Sequence, residues 1–159
     1  MLSSYLTALR SFQRNVWLYL VAMSLIGFTV DGGIYSVVFN LFVLRLGYDP
    51  AFVGQVNSIG LLAFAICSLP AGALGARMGN RRAMIVGLCT LMGSGLMLAL
   101  SEFIPASLRA YWLIGFYMGY HSSIAIFFVN TAPFLMATTH ESKRGHAFAI
   151  KSAWISSAA

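Results

Sequence analysis

The residues whose types can do chemistry are the ionisable and amide side chains that lie inside apolar runs. Asp31 is the only charge in the thirty residues between Arg14 and Arg45, and a carboxylate within a membrane span is costly enough that it faces a cavity or a partner. Gly27, Asp31 and Tyr35 repeat at a spacing of four and share one helix face, while Gly32 and Gly33 loosen the helix beside the acid. Asp31 is therefore either a cavity carboxylate for a proton, a cation or a polar solute group, or a structural acid satisfied by neighbouring helices. His121, whose side chain titrates near neutrality when unperturbed, can relay a proton with Asp31 or pack as a polar core group. Asn40, Gln55, Asn57 and Asn130 can line the same cavity or hydrogen-bond between helices.

Catalytic patterns are weak by comparison. Gly93-Ser94-Gly95 with His121 invites an intramembrane serine protease, but the glycine such a site places two residues before its nucleophile is Met92 here. His140-Glu141 is followed by a histidine only at His146, so the zinc-binding helical spacing is absent. Cys67 and Cys89 each sit in an apolar run without a second ligand-type residue nearby. The expectation is a protein that is not an enzyme and carries no cofactor and no metal.

These groups need helices to hold them in lipid. Of the 159 residues 59% are hydrophobic and 9% charged, where a soluble domain carries about 25% charged residues. The net charge of +6 falls between apolar runs and not in a basic stripe with interleaved aromatics, which argues against nucleic acid. The spacing predicts an interfacial helix over residues 1–15 on the cytoplasmic side. Spans follow at about 16–44, 51–76, 83–101 and 110–139, with a fifth starting near 146. Gly47 and Pro50 suit a tight turn before the second span. Eight basic residues (Arg10, Arg14, Arg77, Arg81, Arg82, Lys143, Arg144, Lys151) fall on one side of these spans and two (Arg45, Arg109) on the other, which places the N-terminus inside, in the cell membrane. Rows of small residues (Ser68, Gly72 and Ala76; Gly87, Thr90 and Ser94; Gly115, Gly119 and Ser123) predict close helix contacts.

The connection after the second span reads Gly72-Ala73-Leu74-Gly75-Ala76-Arg77-Met78-Gly79-Asn80-Arg81. It resembles the loop signature of the major facilitator superfamily, Gly-x-Leu-Ala-Asp-Arg-x-Gly-Arg-Arg/Lys, at Gly72, Leu74, Arg77, Gly79 and Arg81. Two departures stand out: the family's acid is Ala76 here, and Asn80 replaces a basic position. A further family feature, an arginine early in the fourth span four residues before a glycine, is replaced by Gly115 before Gly119.

The resemblance implies an all-α, polytopic membrane bundle that corresponds to the incomplete N-terminal half of such a transporter. It further implies that the missing C-terminal half is a partner and that these residues belong to a longer frame. It also implies a secondary active transporter or facilitator that moves a small solute by alternating access, with a proton or cation as the coupling partner where there is one. Asp31, Tyr35, Asn57, His121 and Asn130 are then the cavity candidates, and Gly72, Leu74, Arg77, Gly79 and Arg81 form a conformational loop that latches the two halves. The rival from the residues alone is a small membrane scaffold that binds partner helices and transports nothing.

Overall fold

The computed structural model describes residues 14–27 and 34–138, and every regular element among them is helical. We number them α1 (Arg14–Ile26), α2 (Ile34–Arg45), α3 (Pro50–Met78), α4 (Asn80–Ala99) and α5 (Ala106–Thr138), with a 3₁₀ turn at Leu100–Phe103. The predicted interfacial helix over 1–15 lies almost wholly outside the described residues, and the fifth span from 146 and Asp31 lie entirely outside them.

Three of these segments are long and apolar enough to cross a membrane: Pro50–Met78, Asn80–Phe103 and Ala106–Thr138, of 29, 24 and 33 residues. At 1.5 Å per residue the 29-residue helix is about 44 Å long against a hydrocarbon core of about 30 Å, so its ends reach beyond the lipid tails. Serine and threonine within them return their hydroxyls to their own helix. Ser58 bonds the Gly54 carbonyl, Ser68 that of Phe64, Ser123 that of Gly119 and Thr131 that of Phe128. A hydroxyl satisfied in this way adds little polar cost to a lipid-facing or helix-facing surface.

The chain divides into two compact units, one comprising Met1–Phe39 with Leu135–Ala159 and the other Asn40–Phe134. In the first, α1 buries Tyr19, Met23 and Ile26 at spacings of four and three, whereas Leu18, Val21 and Leu25 are exposed. Tyr35 is stacked on Phe39, with ring centroids 6.1 Å apart.

The second unit holds α3, α4 and α5 as far as Phe134, and its turns follow from glycine and proline chemistry. Gly47, at φ +91, reverses the chain after α2. Asp49 then caps α3 by accepting the Phe52 N–H at 2.8 Å, with Pro50 in the first turn, where a missing N–H costs nothing. Only Gly79 separates α3 from α4. Its φ of +89 is open to glycine and strained for other residues, and its N–H bonds the Gly75 carbonyl at 2.9 Å. Both helices thus run further into this connection than the charge pattern suggests: Arg77 lies in the last turn of α3, and Arg81 and Arg82 lie in the first turn of α4. Arginine is a good helix former, and one glycine suffices for the reversal.

At the opposite end α4 runs through the 3₁₀ turn to α5, which starts at Ala106 because the Pro105 carbonyl accepts the N–H groups of Leu108 and Arg109. Carbonyls left over by the end of α4 and the turn are taken up by α5. Arg109 donates through Nε and Nη2 to the carbonyls of Ser101, Glu102 and Ile104 at 3.0–3.2 Å. Trp112 Nε1 donates to Met97 O at 2.7 Å. Arg109 is therefore a fastener of this connection, and Trp112 is a second one. Arg109→Lys is expected to lower stability by about 1 kcal/mol, because a lysine ammonium cannot reproduce the planar fork. Thermal unfolding in detergent checks this, and an unchanged midpoint would remove the fastening role. The one ion pair among the described residues, Arg45 to Glu102 at 3.7 Å, is solvent-exposed and contributes little.

Candidate functional site

The polar centre of the second unit is a hydrogen-bonded row across three helices. Asn57 of α3 donates from Nδ2 to Asn40 Oδ1 of α2 at 2.9 Å and to its own Val53 carbonyl at 3.0 Å. Tyr117 of α5 donates its hydroxyl to Asn57 Oδ1 at 2.6 Å. Both hydrogens of the Asn57 amide are thus engaged, and its oxygen has one donor.

Local sequence explains how Tyr117 comes so close. Gly60 lies one turn from Asn57 on α3, and a Cβ there would stand 2.6 Å from Tyr117 Cε1 and 2.7 Å from His121 Cδ2. Two aromatic rings fill the space that a side chain would need. Tyr117 and His121 are four residues apart, share a face of α5, and lie with ring centroids 4.7 Å apart. Tyr120 adds an edge-on contact to His121 at 5.8 Å.

Unspent hydrogen-bonding capacity sits at Asn40, and beside the row at His121. Among the described residues the Asn40 amide nitrogen donates to nothing, and the half-buried His121 makes ring contacts and no hydrogen bond. Asn57 and Tyr117 form the frame; Asn40 and His121 are the groups with donors or acceptors to offer. From Asn40 to Phe134 the charged side chains are Arg45, Asp49, Arg77, Arg81, Arg82, Glu102 and Arg109, all at helix ends or in turns, so the row is neutral apart from the imidazole.

Of the other amides in this unit, Asn130 and Gln55 are not gathered here. Asn130 meets α3 at Ala71, fourteen residues beyond Asn57, or about 21 Å along the helix. Gln55 points out of the bundle, exposed. Tyr35 belongs to the other unit. Sequence reasoning left out Tyr117 and Gly60, although the Asn57–Gly60 and Tyr117–His121 spacings of three and four mark two helix faces that meet.

The signature positions occupy the Gly79 end. Gly72 approaches α5, where its Cβ would stand 3.6 Å from Val129 Cγ1. Leu74 is half-buried, whereas Ala76, Arg77 and Arg81 are exposed. Of the small-residue rows, Gly87 meets the α5 backbone at Ser123 and Phe127, and Gly119 meets Ser94. Gly115 touches nothing within 4 Å, and Ala76 and Thr90 face outward.

Long apolar helices closely packed through glycine, with a polar row enclosed among them, define a multi-pass integral membrane protein. The chain belongs to the Major Facilitator Superfamily, whose family model matches residues 2–159. It is a transporter of the major facilitator type, a class that moves small solutes across membranes. No curated protein and no solved structure matches it.

Proposed function

We propose that the protein is a secondary active transporter or facilitator that carries a small polar solute by alternating access, with Asn40 and His121 presenting hydrogen-bonding groups to that solute. The observation that carries this reading is the row Asn40–Asn57–Tyr117, a polar seam between three helices, in which the Asn40 amide nitrogen donates to nothing among the described residues. A polar group inside lipid is retained where it lines a pathway or binds a partner. Asp31, the only acidic residue inside the first predicted span, is assigned to a coupling proton or cation. The cell membrane is the proposed location. The N-terminus and the Gly79 end face the cytoplasm, where the arginines gather.

The test is uptake by full-length protein reconstituted in liposomes, against a panel of radiolabelled hexoses, amino acids and quaternary amines. Saturable uptake of a panel member is expected, with KM raised about tenfold in Asn40→Ala, the factor that belongs to one lost hydrogen bond. Asp31→Asn is expected to remove the response to an imposed proton or sodium gradient. Folded protein that gives only linear leak across the panel would favour the scaffold, and an unaltered Asn40→Ala would remove that residue from the site.

A further inference from the structure

At the Gly79 end α3 is fastened to α5 by one side chain. Asn130 is 1% exposed. Its Nδ2 donates to the Ala71 carbonyl of α3 at 3.1 Å and to the Ile126 carbonyl of its own helix at 2.8 Å. Its carboxamide oxygen fills the place a Cβ on Gly75 would take, and Asn80 Oδ1, from the first residue of α4, stands 2.7 Å from the same point. Two carboxamides from two helices therefore converge on the bare face of Gly75. Both Asn130 donors are used within the protein, so the amide has no N–H left for a solute.

What holds Gly75 also holds the signature loop. The Gly75 carbonyl accepts the Gly79 N–H that closes α3, and Arg77 lies between them. Charge does not supply the fastening: position 76, where the family pattern carries an acid, is an exposed alanine, and Arg77, Arg81 and Arg82 form no ion pair among the described residues. We propose that Asn130 is the positioning residue that seats the Gly79 end of α3, and with it the Arg77–Gly79–Arg81 segment, by a neutral side-chain-to-backbone clamp on Ala71 and Gly75. A directional bond to a backbone carbonyl fixes register without a buried charge, and glycine at position 75 is required because the clamp occupies its side-chain space.

The seam contains its own reporter. Cys67 lies one turn before Ala71 on α3, and its thiol donates to Ser122 Oγ of α5 at 3.2 Å. Full-length protein carrying Cys89→Ser is reconstituted in liposomes and treated with N-ethylmaleimide, and alkylation of Cys67 is followed by mass spectrometry. Asn130→Ala is expected to raise the Cys67 rate about tenfold, as loss of one buried hydrogen bond would. With Val53→Cys as a second reporter near the other end of α3, that cysteine should stay within about twofold of its rate when Asn130 is intact, because the opening is local. Gly75→Ala alters no polar group and drives a Cβ into the Asn130 amide; it should give the same pattern, and it serves where Asn130→Ala fails to fold. Equal rises at both reporters would mean general loosening and overturn the clamp, as would an unchanged Cys67 rate in the folded variants. The readout needs no solute, so its outcome is independent of the transport cycle proposed above.

Discussion

Gly87→Leu is expected to abolish the yield of monodisperse folded protein, whereas leucine at Gly93 or Gly95, on the same helix, leaves it near that of the parent. A Cβ at Gly87 would stand 3.1 Å from both Phe127 N and Ser123 O, and 3.4 Å from the Ile126 methyl. The two nearest atoms are α5 backbone, which cannot rotate aside as a side chain can, so α4 and α5 must separate. One surplus methylene in a well-packed interior costs about 1–3 kcal/mol, and leucine adds four carbons against a total stability of about 5–15 kcal/mol. Gly87→Ala asks only a few tenths of an ångström and should fall between the two. At Gly93 and Gly95 a Cβ meets nothing within 4 Å, and removal of a helix-interior glycine is worth up to about 1 kcal/mol in favour of the helix. Size-exclusion profiles and thermal midpoints in detergent across the series measure this. A parental midpoint for Gly87→Leu would mean that α4 and α5 do not meet there.

The same contacts explain what the sequence makes legible. Turns are local, so Gly47, Pro50 and Gly79 mark the ends of α2, α3 and α4 within a few residues. Charge is a poorer guide: arginines at 77, 81, 82 and 109 look like loop, yet all four sit in helical turns, because arginine tolerates a helix and its head group reaches out from it. Rows of small residues at spacing four predict contact correctly in part. Each step of four residues advances about 400° around a helix of 3.6 residues per turn, so Gly115 and Ser123 differ by about 80° in direction, and only the Gly119–Ser123 end of that row reaches α4.

The polar groups divide by the kind of partner they find. Asn57 could be picked out because an amide in an apolar run is conspicuous. Tyr117 could not, since Tyr117-Met118-Gly119-Tyr120 reads as ordinary apolar packing and its acceptor is sixty residues away. Asn130 is conspicuous too, but its partner is a backbone carbonyl, which has no signature in the sequence. An amide bonded to side chains of other helices and one bonded to a backbone carbonyl look alike until the facing helix is in place.

Tyr117→Phe removes the hydroxyl that donates at the centre of the row. The ring remains against Gly60 and His121, so packing is conserved, while Asn57 Oδ1 loses its donor. An acceptor left unsatisfied in a buried site costs about 1–3 kcal/mol, and the thermal midpoint in detergent should fall accordingly. Asn57→Ala is expected to cost more, because it also releases Asn40. Once one partner is gone, removing the other should cost less, so the double variant should be more stable than the sum of the single losses by about 0.6 kcal/mol, the average for helix-to-helix hydrogen bonds in membranes, and by at most about 1.7 kcal/mol. Strict additivity would show that Tyr117 and Asn57 are neighbours without a bond, and the polar row would then end at Asn57. Coupling of the expected size joins α2, α3 and α5 through a single amide, which makes Asn57 the joint on which the positions of Asn40 and His121 both depend.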